Sequence, residues 1–378
     1  MLRILFYCHN LFGLGHLARS QRIAEAALDR GGCECQIITG CRFLDQLRLD
    51  PRIGIQRLPP VQQDEAGRFV AIDPGLQDAL RHRAGLIEAF CRQWRPHAVV
   101  VDHLPLGLGG ELLQMLTAAR REQWPTRFIW GIPYSEGATA TGRPRNPQLR
   151  EAYARYDQLI AYTEETWDDV VGAYRSVGLP ARTDYAGVVA ARPLSARRDG
   201  VPRLVGLSGG GKAGADLLRR VLDATRGLEE ARELVLRFVA GPMGSASEMS
   251  RVAGDRPIEV WPEASTERAI QDASVAVSRV GYNTAFTLVQ SDLPVVLVPL
   301  QLEQGDQLQR AVQLAQLPGV WLVDERQPDA TEALARAIKE ALGGPSAYSR
   351  TLPFRTDGAD RASQLILEAA KQAERAQS

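Results

Sequence analysis

Lysine is nearly missing from this chain of 378 residues: Lys212, Lys339 and Lys371 stand alone among 45 basic residues, and arginine supplies the rest. Asp and Glu also total 45, so the formal net charge is zero. Without a surplus of positive charge the chain lacks the electrostatic grip on phosphates that nucleic-acid binding needs, and no nucleic-acid partner is expected. An arginine preference spread over the whole chain reads as codon bias rather than as many phosphate sites.

Cysteine is scarce and odd in number: Cys8, Cys33, Cys35, Cys41 and Cys91. Five thiols without regular spacing make no disulfide framework and fit a reduced, cytoplasmic setting. Cys33 and Cys35 stand too close for the usual zinc pair and have no second pair, so no metal is expected. No apolar run approaches the ~20 residues of a membrane helix, and the opening run, Met1 to Cys8, is too short for a signal peptide. No integral membrane segment is expected; peripheral membrane contact stays open. Internal repeats and low-complexity tracts are absent as well.

What is present is globular: 45% hydrophobic and 24% charged residues, in a length suited to two domains with a core each. The first third alternates short apolar runs with helical patterns. Ile4 to Cys8 reads as a buried strand, Leu17 to Asp29 as a helix, and Gln36 to Gly40 as a second strand. Ala98-Val99-Val100-Val101-Asp102, Arg127 to Gly131 and Gln158 to Tyr162 read as further strands. That rhythm marks a parallel sheet wound with helices. It breaks between Val189 and Arg203, where Pro and Arg mark a linker, and restarts at Arg203 to Ser208. The expected organisation is an α/β first domain over 1–192, a linker over 193–202, a second α/β domain over 203–358 and a closing helix over 359–378. Ligands of such sheets bind beyond the carboxyl ends of the strands, so a cleft between two facing domains is the expected site. Residues 62–75 and 133–147 read as long polar loops on the acceptor side.

Four motifs carry chemistry. Gly13-Leu14-Gly15-His16 follows the first strand, where glycines permit a tight turn and a helix N-terminus favours anions. His16 is either a satisfied helix-start histidine or a general base for a hydroxyl, the role for which an imidazole suits neutral pH. Asp102 ends a strand expected beside the first, so its carboxylate is either a helix cap or the group that orients His16. His103 is a rival base. Gly206 to Ala213 nearly spells a Walker A loop, but Ala213 replaces the magnesium-binding hydroxyl, leaving a turn that accommodates a diphosphate without hydrolysing it. Last, Ser278-Arg279-Val280-Gly281-Tyr282-Asn283-Thr284 reads as strand, turn and helix start. After the strand Val295 to Pro299 come Asp306 and Gln307, which can bond sugar hydroxyls.

The last motif, with Leu293 to Ala311 and the Gly13 to Ser20 loop, resembles the GT-B glycosyltransferases, and among them the MurG-like branch. The resemblance covers both domains in order and implies two Rossmann-like domains facing across a cleft, the closing helix crossing back to the first. It implies that Ser208, Gly209 and Gly210 line a diphosphate, and that Gly281, Tyr282, Asn283 and Thr284, next to Arg279, hold the phosphates. Val260 and Trp261 would flank the base, while Gln301, Asp306 and Gln307 would contact the donor sugar. His16, oriented by Asp102 and set in the loop of Gly13 and Gly15, would deprotonate the acceptor hydroxyl for inverting attack without an obligatory metal or cofactor. The nucleotide-sugar, UDP- or dTDP-linked, is a substrate; the other partner is a small-molecule or lipid-linked hydroxyl acceptor. Thr287 stands where the branch usually has a ribose-binding Glu, and Arg310 where it has Asn, which leaves the nucleotide open. The alternative is a nucleotide-sugar hydrolase in which the same histidine activates water.

Overall fold

The computed structural model describes residues 1–9, 14–46, 48–63, 69–71, 75–134, 152–170, 172, 182–197, 200–210, 213–226, 228, 234–241, 244–262, 265–300 and 306–377. The chain divides into two compact units, Met1–Val189 with Pro353–Ser378, and Ala190–Leu352.

The first unit opens with β1 (Leu2–Cys8), α1 (Gly15–Arg30), β2 (Cys33–Thr39) and β3 (Ile53–Arg57). A short antiparallel pair follows, β4 (Val61–Gln63) and β5 (Phe69–Ala71). This pair occupies part of the stretch expected to be loop over 62–75; the loop expected over 133–147 falls almost wholly outside the described residues. Then come α2 (Leu76–Trp94), β6 (Ala98–Asp102), α3 (Leu113–Arg121), β7 (Arg127–Ile132), β8 (Gln158–Ala161) and β9 (Arg182–Tyr185).

The main sheet runs β3-β2-β1-β6-β7-β8-β9 and every neighbouring pair is parallel. A parallel sheet covered on both faces must be apolar on both, which is why β1 and β6 lack a polar alternation. Successive side chains still point to opposite faces. Ile4, Phe6 and Val100 meet Leu17, Ile23 and Ala27 of α1. Leu5, Tyr7, Val99 and Val101 meet Ile87 of α2 and Met115 and Leu116 of α3. On the second face Arg83 is buried but paired with Glu111, which also accepts from the Tyr7 hydroxyl.

The second unit contains β10 (Arg203–Leu207), α4 (Gly214–Ala224), β11 (Val235–Val239), α5 (Ala246–Ala253), β12 (Ile258–Trp261) and α6 (Thr266–Ala269). It continues with β13 (Val275–Ser278), α7 (Tyr282–Gln290), β14 (Val295–Leu297), α8 (Asp306–Leu314), β15 (Val320–Leu322) and α9 (Ala330–Gly343). Its parallel sheet has the order β12-β11-β10-β13-β14-β15. Leu204, Leu236, Phe238, Val277 and Val296 pack there against Leu217 and Val221 of α4 and Leu334 and Ile338 of α9.

Both sheets wind outward from a central strand and reverse beside it, at β1/β6 and at β10/β13. Such reversal points open a crevice between the diverging connections, where ligands of doubly wound folds bind.

The segment expected as linker is held to the second unit: Gln271 Nε2 donates to Ser195 O (3.2 Å) and Arg197 N donates to Gln271 O (2.7 Å). The return to the first unit begins ahead of the closing helix, because Val188 N donates to Arg355 O (2.8 Å). That helix, α10 (Gly358–Gln377), packs on α1, β1, β6 and β7, and Arg30 Nε reaches its Ser363 Oγ at 3.0 Å.

Candidate active site

In the first unit β1 and β6 run side by side with Cys8 opposite Asp102. Whatever follows Cys8 and whatever ends at Asp102 therefore emerges on one rim. His16 is the second residue of α1, which has no side-chain cap and no acidic residue in its first turn. Its Nδ1 lies 3.1 Å from Asp102 Oδ2. The His16 side chain is 22% exposed and that of Asp102 3%, so the carboxylate sits behind the ring and the imidazole keeps one open side.

Two groups to which the sequence reading gave no role complete this site. Arg19, one turn along α1, donates from Nη2 to both Asp102 oxygens at 2.9 Å and from Nε to Oδ1 at 3.3 Å. Its guanidinium also lies over the Tyr162 ring, 5.6 Å from the centroid. The clue was present, since residues three apart share a helix face. His9, immediately after β1, brings its ring centroid to 4.3 Å from that of His16. His103 completes a stack of imidazoles, 5.1 Å from His16 and 5.6 Å from His9, with Tyr134 5.9 Å beyond it.

His103 is held by its backbone. Its φ is +70°, a left-handed conformation uncommon for a residue with a side chain. Leu104 N donates to Asp102 O across it (3.0 Å), a γ-turn centred on His103. Its amide donates to Gly131 O (2.8 Å) and its carbonyl accepts from Trp130 Nε1 (2.8 Å). Strain of this kind persists where the surroundings over-determine it.

The electrostatics are opposed and resolved. Burial alone would raise the Asp102 pKa, but Arg19 and His16 hold the carboxyl well below the ordinary range. Burial lowers the His16 pKa, Asp102 raises it, and the ring stays below the usual histidine value. His9, more deeply buried and beside two other imidazoles, lies well below it. At neutral pH His16 is a neutral ring with a carboxylate at one nitrogen. That arrangement can take a proton from a hydroxyl or a water.

In the second unit the corresponding rim carries the other predicted residues. Gly209 has φ +67°, and a Cβ there would sit 4.0 Å from Thr284 Oγ1, so the turn after β10 lies against the start of α7. A Cβ on Gly281, the residue before α7, would look onto open space. The first amides of α7 thus have room for an anion. Gly210 and Asn283 are half-buried on the same rim.

Other predicted donor residues hold the rim rather than face outward. The Ser208 hydroxyl donates to Ala240 O (2.9 Å) and Val239 O (3.1 Å). Arg279 is buried, bonded to Glu325 (2.7 Å) and Asp216 (3.0 Å). Tyr282 packs its ring edge-on against Phe286 at 4.8 Å. Val260 packs on the core, and the Arg237 guanidinium covers the Trp261 ring at 3.9 Å. Gln307 Oε1 accepts from Val280 N (3.1 Å) and Leu300 N (3.0 Å), while Arg310 Nη1 donates to Val280 O (2.6 Å). Two side chains of α8 therefore clamp both polar groups of Val280, just ahead of α7. Asp306 begins α8. Gln301 and Gly13 lie outside the described residues, and Gly15 is the first residue of α1.

Comparison with known proteins bears on the second unit most directly. Residues 207–366 match the glycosyltransferase family 28 C-terminal domain. That stretch carries a glycosyltransferase domain. Among solved structures, the chain is similar to Acinetobacter baumannii MurG, with 15% identity and TM-score 0.57 over 97% of this chain and 100% of that one. It is similar to Phytolacca americana UGT2 complexed with UDP-2fluoro-glucose and pterostilbene, with 15% identity and TM-score 0.61 over 100% and 96%. It is also similar to UDP-GlcNAc 2-epimerase from Methanocaldococcus jannaschii, with 12% identity and TM-score 0.60 over 97% and 100%. These likenesses show the shared GT-B fold. No curated protein matches the chain by sequence. The family match begins at the end of β10 and leaves out His16 and Asp102, whose case rests on their geometry. No helix among the described residues is long and apolar enough to cross a membrane.

Proposed function

We propose that the chain is an inverting transferase that moves a sugar from a UDP- or dTDP-linked donor to a hydroxyl acceptor, small or lipid-linked, in the cytoplasm. His16 is the general base and Asp102 orients it. The acceptor oxygen forms a bond to the anomeric carbon as the bond from that carbon to the diphosphate breaks. The hydroxyl proton passes to His16 Nε2, and the electron pair leaves on the nucleoside diphosphate. The observation that carries this reading is the 3.1 Å contact between His16 Nδ1 and Asp102 Oδ2. A carboxylate at Nδ1 selects the tautomer with a free Nε2 lone pair and stabilises the imidazolium formed on proton uptake.

The rim of the second unit suits the donor. The α7 N-terminus, open at Gly281, offers amides to the diphosphate and stabilises the charge developing on it. This reading needs no metal at the diphosphate. UGT2, similar in fold, was solved with UDP-2fluoro-glucose.

The test is product analysis with UDP- and dTDP-sugars, with and without candidate acceptors, in the presence of EDTA. Acceptor-dependent glycoside with inverted anomeric configuration, formed undiminished in EDTA, is expected. Free sugar released at full rate without acceptor would assign His16 to water and make the chain a nucleotide-sugar hydrolase.

A further inference from the structure

Arg19 is 2% exposed, and its guanidinium lies between the two groups on which the proposed chemistry depends. Nη2 is 2.9 Å from each Asp102 oxygen and 3.0 Å from His16 Nδ1. His16 Nδ1 therefore has a carboxylate oxygen at 3.1 Å and a guanidinium nitrogen at 3.0 Å. Two consequences follow from these distances.

The first concerns the tautomer. A ring nitrogen beside both an acceptor and a donor can either give its proton to Asp102 or accept one from Arg19. Only the first choice leaves the Nε2 lone pair free to act as a base. An ionised Asp102 can only accept, and a bare Nδ1 would set its lone pair against a carboxylate oxygen at 3.1 Å, so the Nδ1 proton goes to Asp102.

The second concerns charge. Opposite charges at nearly equal distance act on His16 with opposite sign, so Arg19 offsets part of the pull of Asp102. Burial of the ring then decides the balance, against protonation. Among the described residues, the other groups facing this pair are His9 at the end of β1, His103 after β6 with Tyr134 beyond it, and Cys8 beside Asp102. No arginine or lysine stands among them to take over from Arg19.

We propose that Arg19 is the positioning residue of the His16 base: it fixes the Asp102 carboxylate in the orientation that takes the Nδ1 proton, and it offsets the carboxylate charge so that the imidazole stays neutral. The inference rests on the reading of His16 as base and adds a third member to the pair. Arg19 touches no substrate in this role; it acts through Asp102.

The test is nitrogen and carbon NMR of the full chain labelled in histidine, with the His16 signals assigned by their loss in His16→Gln. In the unsubstituted chain at pH 8 the Nδ1–H tautomer is expected. In Arg19→Met the His16 titration midpoint should rise by about one unit or more, the shift an unopposed neighbouring carboxylate produces. An Nε2–H tautomer in the unsubstituted chain overturns the proposal. So does a midpoint in Arg19→Met that stays in place or falls. The tautomer is read without any substitution at Arg19, so a variant that fails to fold leaves the proposal decidable. Neither measurement uses turnover: a chain that transfers no sugar but shows both results refutes the base reading and leaves the Arg19 assignment standing.

Discussion

Gln307 separates two explanations of one residue. In the sequence it stands beside Asp306 as a sugar contact; in the fold its carbonyl accepts from the amides of Val280 (3.1 Å) and Leu300 (3.0 Å). Gln307→Leu keeps the size and removes the acceptor. Stranding a buried amide costs about 1–3 kcal/mol. The Val280 bond is buried and the Leu300 bond half-buried, so the total is roughly 2–4 kcal/mol. For a unit of this size each kcal/mol moves the melting temperature by ~2–4 °C, which gives a fall of roughly 4–16 °C. Gln307→Glu is the control. A carboxylate keeps the acceptor for both amides but cannot donate to a sugar hydroxyl, so stability should stay within about 1 kcal/mol of the parent. Calorimetry of the full chain, following the transition of the second unit, reads both variants. A Gln307→Leu chain that melts with the parent would refute the clamp. A rise in KM for the donor without loss of stability would then return Gln307 to the sugar.

Two further predictions concern the first unit. Because burial lowers the His16 pKa against the pull of Asp102, kcat/KM should be level through neutral pH, with an acid limb below the ordinary histidine value of about 6.5; Asp102→Asn should move that limb lower and reduce kcat by ~10² or more. His9 and His16 are both depressed, so below pH ~6.5 the unfolded chain binds protons that the folded chain refuses, and stability falls as pH drops. His9→Phe removes one of those sites and should flatten the pH dependence of denaturant unfolding between pH 5 and 7, whereas an unchanged slope would mean His9 does not contribute.

The strands that place the site were legible because a buried parallel strand has little freedom in composition. Ala98-Val99-Val100-Val101-Asp102 is β6 to the residue, and Gln158 to Tyr162 and Arg203 to Ser208 are β8 and β10 but for the last residue of each. The order of strands in the sheet follows from winding rules, and it is what brings Asp102 beside the start of α1. Short edge elements were harder to see. Strands β3 and β9 carry polar or mixed residues, and tertiary pairing outweighs such weak local preference; β15 is only three residues long. Side-chain direction was harder still. The sequence located Ser208, Arg279, Tyr282 and Gln307 on the donor rim, but whether each faces a ligand or its own fold depends on partners that only the fold assigns: Ala240 and Glu325 far along the chain, Phe286 and Leu300 close by. Arg19 and His9 were missed for a related reason. One resembles any helix arginine and the other any loop histidine until the fold brings Asp102 and His16 to them.

The central claim, that His16 is the base of a sugar transfer, is tested most directly by comparing the unsubstituted chain with His16→Ala for turnover and for donor binding in parallel. The account predicts a fall in kcat of about 10²–10⁴, with calorimetric affinity for the nucleoside diphosphate unchanged because the donor rim belongs to the second unit. Turnover by His16→Ala at the rate of the unsubstituted chain would contradict it.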